Sequence, residues 1–255
     1  MPVADPTQRF SSRVDNYVLY RPGYPPELLQ LLRHECGLTP RSVIADLGSG
    51  TGILSRLFLE NGNRVFGVEP NQAMRSAGEE ALASYQQFTS VNGTAETTTL
   101  KADSVDFVTA AQAAHWFDRD QARGEIIRIL KLGGWLVLIW NKRRTDSTPF
   151  LREYEQLLLN YATDYREVRH ERTSEGVDQF FAPAPFQQQL LEMRQCFDYA
   201  GLEGRLMSSS YAPLAGHPNH EPMIAELKRL FAKYRVNEQV TMEYDTQAFY
   251  GQIKS

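Results

Sequence analysis

The feature that most constrains this chain is a glycine-rich loop between a buried strand and an amphipathic helix. The apolar run at 42–47 leads into the loop DLGSGTG at 46–52, and residues 51–60 then space their apolar side chains at helical intervals. Three alternating glycines let the backbone turn sharply and let a ligand approach without meeting a Cβ atom. The loop ends at a helix N-terminus, where free N–H groups favour an anionic group. It therefore predicts a ligand site at the carboxyl end of a strand in an α/β sheet.

Strands and helices alternate through the first 140 residues and continue less regularly beyond them. Because parallel strands require crossover connections, this alternation predicts a parallel, doubly wound sheet. Gly133-Gly134 is expected to turn the chain into the fifth strand. The pattern predicts strands at 42–47, 64–68, 88–91, 104–110, 135–140, 189–197 and 239–244, and helices at 51–60, 71–85, 118–130, 149–165, 199–207 and 222–234.

Length and composition indicate one globular catalytic unit with additions. Hydrophobic residues make up 42% and charged residues 23% of the 255 residues, an ordinary globular balance. A single α/β domain can reach this size. We expect an N-terminal helical cap over 1–35 and a catalytic domain over 36–255, with an inserted helical lid at about 145–185.

Charge and residue usage disfavour several classes of function. A net charge of −4 argues against broad nucleic-acid binding, and no apolar run approaches the length of a membrane span. Cys36 and Cys196 have neither metal spacing nor a disulfide framework, so they are expected to be packing residues in a reducing compartment, the cytoplasm. His217 and His220 lack further ligands for a metal.

An acidic residue near the glycine loop indicates what the loop binds. Glu69 ends the second strand, 17 residues beyond Gly52, where a carboxylate can accept hydrogen bonds from a ribose diol. This acid alone indicates an adenosine ribose without naming the cofactor. A dinucleotide fingerprint would need a small residue at position 53, which here is Ile53.

Four segments in this order resemble the class I S-adenosylmethionine-dependent methyltransferases. The loop at 46–52 resembles the first motif of that superfamily, and Glu69-Pro70 follows at the end of the second strand. The segment 93–96 (GTAE) follows the third strand, and LKLGG at 130–134 resembles the superfamily's L-K-P-G-G turn with Leu132 in place of proline. The resemblance covers about residues 40–140. It implies a Rossmann-like class I methyltransferase fold, with a mostly parallel seven-stranded sheet and helices on both faces.

A further resemblance concerns the kind of acceptor. Phe10, Tyr17 and RPGYP at 21–25, taken with AAQAAHWFD at 110–118 and SSSY at 208–211, are similar to the small-molecule methyltransferases related to trans-aconitate and cantharidin methyltransferases. The resemblance implies a small acceptor that bears a carboxylate. No Asn-Pro-Pro-Tyr-like tetrapeptide follows the fourth strand, which disfavours a nucleic-acid base as substrate.

The resemblance also assigns cofactor-binding positions. It places the loop at the methionine end, the acid of the second strand at the ribose, and two further pairs of residues near adenine and near the sulfonium. In the cap, we expect Tyr17 and Arg21 to close over the cofactor, with Arg21 able to pair with the methionine carboxylate unless it is a solvated residue in an ordered turn. The predicted cofactor-binding set is Tyr17, Arg21, Asp46, Gly48, Ser49, Gly50, Glu69, Pro70, Ala95, Glu96, Gln112 and His115.

Residues after the fourth and fifth strands are candidates for acceptor binding and catalysis. His115 is the candidate general base by type and position, or else a hydrogen-bonding residue that shapes the pocket. Trp116 and Phe117 are expected to form an apolar wall of the substrate pocket, unless they are core residues. Arg143, in the basic run 142–144, either receives an acidic substrate or belongs to a solvated turn.

These observations together predict transfer of a methyl group from S-adenosylmethionine to a small molecule, with S-adenosylhomocysteine as product. Two alternatives remain: a regulatory or scaffold protein that binds S-adenosylmethionine without transferring the methyl group, and an NAD-dependent oxidoreductase. We expect no metal, no nucleic acid and no membrane among the partners.

Overall fold

The computed structural model describes residues 19–166 and 176–254. A seven-stranded sheet, in the order β3-β2-β1-β4-β5-β7-β6, forms its centre. Strands β1 to β5 pair in parallel, whereas β7 runs antiparallel to both of its neighbours. The strands are β1 (Val43–Leu47), β2 (Arg64–Val68), β3 (Phe88–Val91), β4 (Val105–Ala111), β5 (Leu130–Arg143), β6 (Gln187–Phe197) and β7 (Val240–Gln252).

Helices cover both faces of this sheet, so the predicted mostly parallel α/β fold is confirmed. One buried cluster includes Leu28, Leu32 and Phe58 against one face, and another includes Ile126, Ile129 and Phe181 against the opposite face. The described helices are α1 (Glu27–Cys36), α2 (Ile53–Glu60), α3 (Gln72–Ala81), α4 (Arg119–Ile129), α5 (Pro149–Tyr161), α6 (Val177–Phe181), α7 (Tyr199–Met207) and α8 (His220–Tyr234).

The order of the strands fixes where a ligand can bind. From β1 the chain moves outward to β2 and β3, then returns to the other side of β1 with β4. The crevice between the carboxyl ends of β1 and β4 is thus a topological switch point, the usual binding place in open α/β sheets. The glycine loop lies at this point, directly after β1.

A third apolar cluster packs against β6 and β7. Helices α5, α7 and α8 contribute to it, and α5 packs against α8. Strand residues Val240, Met242 and Tyr244 close its base. Segments on both sides of β6 therefore form one helical layer, and the insertion expected at about 145–185 supplies only α5 of it, because α6 packs in the cluster with Ile126 and Ile129.

Side-chain caps define the starts of several helices. Asn71 is the N-cap of α3, and its side chain accepts a hydrogen bond from the backbone N–H of Met74 at 3.0 Å. Asp118 caps α4 in the same way through the N–H of Gln121, at 3.1 Å. Helices α3 and α5 end at Ala81 and Tyr161, four residues before the predicted ends in both cases.

Strands β5 and β7 differ most from the predicted boundaries. The expected turn at Gly133-Gly134 lies inside β5, where Gly133 has a φ of 74° and the pairing with β4 shifts register. Strand β7 runs to Gln252, because β5 and β6 pair with it from either side. Sequence alternation showed only its first half, since residues 248–251 are buried on consecutive positions.

The predicted N-terminal cap, 1–35, lies in part outside the described residues, as do Phe10 and Tyr17. Helix α1 belongs to the sheet-face core through Leu28 and Leu32. No helix in the described ranges is both long and apolar enough to cross a membrane.

Candidate active site

The glycine loop follows β1 in a conformation that depends on glycine. Gly48, Gly50 and Gly52 have φ values of 65°, 56° and 80°, in the left-handed region that side chains with a Cβ rarely adopt. A Cβ on Gly48 would lie 2.6 Å from the Cβ of Ala113, so the loop also packs closely against the chain after β4. These glycines therefore let the loop backbone adopt this conformation at the switch point of the sheet.

Asp46, the acid that begins the motif, is fully buried under this loop. Its carboxylate accepts hydrogen bonds from Ser55 Oγ at 2.7 Å and Thr109 Oγ1 at 3.0 Å. Burial raises the pKa of Asp46 to about 6. Asp46 ties the loop to α2 and β4, and it also borders a small cavity with Tyr24 and Ser49.

Glu69 lies at the end of β2 and bonds to the loop directly. Its two carboxylate oxygens accept hydrogen bonds from the backbone N–H groups of Gly50 at 2.9 Å and Asn71 at 2.8 Å. Burial raises the pKa of Glu69, an effect that these two hydrogen bonds oppose. Each oxygen keeps lone-pair capacity for a further donor.

A cavity of about 170 Å³ opens beside this carboxylate. Glu96 is fixed at its rim, because its carboxylate accepts the backbone N–H of Asp118 at 2.9 Å. Phe117 forms part of the wall and meets Phe180 edge to face. Most predicted cofactor and acceptor positions border this space. Its lining comprises Gly48, Gly50, Glu69, Pro70, Asn71, Met74, Thr94, Ala95, Glu96, Ala111, Gln112, Ala113, Trp116 and Phe117.

Gln112 occupies the end of β4 in an unusual backbone conformation, with a φ of 56°. Its backbone N–H donates to Ile139 O, and its side-chain Nε2 donates to Asn141 O at 3.0 Å. Residues held at positive φ without being glycine often mark functional sites. Here the two bonds hold Gln112 between the cavity and the end of β5.

His115 lies in a 3-10 turn at Ala114–Trp116, next in sequence to the cavity-lining residue Trp116. It is absent from the lining residues, and Trp140 Nε1 points its N–H at His115 Nδ1 across 3.5 Å. Burial lowers the pKa of His115 to about 4. The ring is therefore neutral near pH 7 and presents Nδ1 as an acceptor to Trp140.

The segment before α1 crosses the open end of the site. Tyr24 borders both the small cavity beneath the loop and a larger groove of about 900 Å³. Arg21 borders that groove beside Thr51, and its Nη2 donates to Ser208 O at 3.1 Å. Arg21 thus lies near the predicted methionine end, while its expected partner Tyr17 falls outside the described residues.

Arg143 is neither in a solvated turn nor on the wall of the cavity. It is 8% exposed and donates to Glu155 Oε2 at 2.5 Å and to Tyr165 Oη at 3.0 Å. The basic run gave no sign of this burial, because the partners come from α5 and the segment after it. Sequence reasoning also missed Met74 and Thr94 in the lining, as neither residue type carries a distinctive signal.

The cavity residues fit an adenosyl sulfonium cofactor. A buried carboxylate beside a glycine loop suits a ribose, and the apolar lining from Ala95, Met74 and Phe117 suits a purine ring. Across residues 19–166 and 176–254, no group of three or more His, Cys, Asp or Glu side chains is placed to hold a metal ion.

Comparison with known proteins agrees with this fit. Residues 45–138 match the family model described as a methyltransferase domain. The match runs from β1 into β5 and covers 94 of the 255 residues, and the fold of the described residues is one that solved methyltransferases share.

Curated relatives match over a longer segment than the family model does. An uncharacterised methyltransferase of Mycobacterium bovis is 40% identical over 154 residues, covering 60% of each chain. An uncharacterised methyltransferase of Schizosaccharomyces pombe is 33% identical over 153 residues, covering 58% of each. The chain thus spans about three fifths of the length of the curated relatives it matches.

Solved structures share the fold over nearly the whole chain. A provisionally named type II methyltransferase from Anaeromyxobacter dehalogenans superposes with a TM-score of 0.69 at 24% identity, covering 92% of this chain and 99% of that one. A phosphoethanolamine N-methyltransferase of Haemonchus contortus, solved with phosphomonomethylethanolamine and S-adenosylhomocysteine, gives a TM-score of 0.55 at 16% identity. It covers 98% of this chain and 58% of the other.

Proposed function

We propose that this protein transfers the methyl group of S-adenosylmethionine to a small-molecule acceptor that bears a carboxylate. The observation that supports this most is the convergence of the glycine loop and Glu69 on one cavity at the switch point of the sheet. The methyltransferase domain at 45–138 supports the choice of cofactor. Ile53 disfavours a dinucleotide at the same place.

Each side of the cavity has a distinct role in this proposal. Glu69 accepts hydrogen bonds from the ribose hydroxyls, and Ala95 and Glu96 border the adenine. Asp46 and the loop 46–52 hold the methionine end, with Arg21 positioned to pair with its carboxylate. Trp116 and Phe117 exclude water from the space between cofactor and acceptor, which good alignment of the reacting atoms requires.

The proposed reaction does not require the protein to act as a general acid or base. S-adenosylmethionine, when bound, supplies a methyl group already attached to a good leaving group. A carboxylate acceptor is ionised at pH 7 and needs no general base. This agrees with a neutral, weakly basic His115 behind the wall, which would shape the pocket through Trp140.

Calorimetric titration of cofactor-free protein with S-adenosylmethionine, S-adenosylhomocysteine and NAD tests the proposal. We expect both adenosyl ligands to bind and NAD not to bind. Glu69→Ala should weaken both affinities about 10- to 100-fold, because it removes hydrogen bonds to a charged acceptor. Glu79→Ala is the matched control, since this carboxylate on α3 is half exposed and outside the cavity lining.

The outcomes separate the three functional classes. Failure of S-adenosylhomocysteine to bind would overturn the cofactor, and tight NAD binding would favour an oxidoreductase. Adenosyl binding without release of S-adenosylhomocysteine, across a panel of carboxylate, amine and hydroxyl acceptors, would favour a regulatory or scaffold protein.

A further inference from the structure

A cluster of buried polar side chains lies among α5, α7 and β7, separate from the cofactor cavity. It contains two guanidinium groups, those of Arg143 and Arg205, which are 8% and 6% exposed. Burying a charge is costly unless it is paired. The partners of each arginine therefore show whether the cluster is complete in itself.

Arg143 has a charged partner and a hydroxyl partner. Its guanidinium donates to the carboxylate of Glu155 and the hydroxyl of Tyr165, and it lies 5.1 Å from the ring centroid of Tyr154. The charge of Glu155 therefore offsets that of Arg143.

Within residues 19–166 and 176–254, Arg205 has no comparable counter-charge. Its Nε donates to Tyr244 Oη at 3.2 Å, and its Nη1 lies 3.0 Å from Ser209 Oγ and 3.5 Å from Ser208 Oγ. These partners are neutral hydroxyls. No carboxylate within the described ranges lies within ion-pair distance of Arg205.

Hydroxyl donors surround the same guanidinium. Tyr154 and Tyr211 are 2% and 7% exposed, and neither hydroxyl bonds to another residue in the described part of the chain. Burial raises the pKa of Tyr154, so its phenol stays protonated and remains a donor at neutral pH. Two phenols and an unbalanced guanidinium thus offer donors that match an anionic oxygen group.

The cluster adjoins the proposed reaction site through two connections. Arg21 borders the groove beside the glycine loop and donates to Ser208 O, one turn of α7 from Arg205. On β5, Asn141 accepts from the Gln112 side chain, and Arg143 lies two residues farther along the same face of the strand. Each arginine thus lies within three residues of a backbone carbonyl that accepts a hydrogen bond from a residue lining the groove or the cavity.

We infer that Arg205, with the hydroxyls of Tyr211 and Tyr154, forms a binding subsite for a carboxylate of the methyl acceptor. Among the described residues, the ion pair of the cluster joins Arg143 to Glu155 and leaves Arg205 with neutral partners, which favours a ligand group with a single negative charge. This inference rests on the proposed function, in which the cluster supplies acceptor recognition and the glycine-loop cavity supplies cofactor binding.

Thermal-shift and calorimetric titrations of the full chain, saturated with S-adenosylhomocysteine, test the subsite. The probes are acetate, hexanoate and benzoate, each compared with its neutral amide, and phenyl phosphate represents a dianion. We expect a carboxylate to bind more tightly than its amide. Arg205→Met should weaken carboxylate binding about 10- to 100-fold and leave S-adenosylhomocysteine affinity unchanged.

A second, milder variant keeps the subsite testable if Arg205→Met does not fold. Tyr211→Phe removes only a hydroxyl and should weaken carboxylate binding about 2- to 10-fold. Arg229→Met is the matched control, because this arginine on α8 is half exposed and pairs with Glu226 and Glu153 outside the cluster. It should bind the carboxylates as the unmodified protein does.

The results separate this inference from the proposed function. If the unmodified protein did not bind S-adenosylhomocysteine, the result would count against the proposed function. The subsite alone would be overturned if S-adenosylhomocysteine still bound, but every carboxylate bound the unmodified protein, Arg205→Met and Tyr211→Phe with the same affinity. Tighter binding of phenyl phosphate than of every carboxylate would also overturn it as a carboxylate subsite.

Discussion

The buried carboxylate of Asp46 holds the glycine loop in place but lowers the stability of the folded protein. Its buried carboxylate is bonded to two hydroxyls and to no cation in the described part of the chain. Its pKa in the folded protein is about 6, above the ordinary 3.8. Because the folded state holds the proton more tightly, this group lowers the stability of the folded state as the pH rises from 3.8 through 6.

Asp46→Asn should therefore stabilise the protein at neutral pH. The amide keeps an acceptor for one hydroxyl and carries no charge, so the gain should reach at most about 3 kcal/mol above pH 6. The gain should shrink as the pH falls from 6 to 3.8, and below 3.8 the native carboxyl is protonated in both states. Urea unfolding of both proteins between pH 4 and 8 measures this difference. A constant or opposite difference would contradict the burial effect.

His115 provides a second test at the scale of one side chain. Its pKa of about 4 and its contact with Trp140 favour a neutral residue that shapes the pocket. We expect His115→Gln to lower kcat/KM for an accepted carboxylate less than tenfold, and the pH profile to lack a limb between pH 6 and 7. A general base would instead contribute about 10²- to 10⁴-fold. A limb near pH 6.5 that disappears in the variant would restore the catalytic role.

Among the structural elements, the conformation of the glycine loop can be tested directly by substitution. Gly48→Ala places a Cβ 2.6 Å from Ala113 Cβ at a φ of 65°, so the loop must move. We expect a lower melting temperature and at least tenfold weaker S-adenosylhomocysteine binding, measured by thermal unfolding and calorimetry.

Gly124→Ala is the matched control for this change. Gly124 is exposed on α4, with no atom near enough to meet an added Cβ. Alanine should therefore stabilise the protein by about 0.5–1 kcal/mol through helix propensity, with ligand binding unchanged. If both alanine variants behaved alike, the special role of the loop would be refuted.

Local signals predicted the elements that lie closest to the cofactor cavity. The glycine loop, the start of α3 near Asn71 and Glu69 at the end of β2 were predictable because each depends on neighbours within a few residues. The environments of Arg143 and Arg205 were not, because their partners come from elements distant in sequence. The length of β7 was missed for the same reason, since pairing with β5 and β6 determines it.

At the scale of the whole molecule, the segment before α1 joins the two proposed halves of the site. Tyr20 packs against α7 at Gly204, and Gly23 O accepts a hydrogen bond from Asn141 at the end of β5. Arg21 and Tyr24, in the same segment, border the spaces beside the glycine loop. A ligand in these spaces should therefore stabilise the contact with α7 as well as the loop.

Hydrogen exchange with and without S-adenosylhomocysteine measures this coupling. We expect the ligand to slow amide exchange in residues 20–24 and in α7 together. Gly204→Ala would bring a Cβ within 2.2 Å of the Tyr20 ring and so displace the segment. In that variant the protection of α7 should be lost and S-adenosylhomocysteine affinity should fall several-fold, while the sheet keeps its slow exchange. Undiminished protection of α7 in Gly204→Ala would show that the loop and α7 respond to ligand independently, because the displaced segment is the connection that the coupling requires.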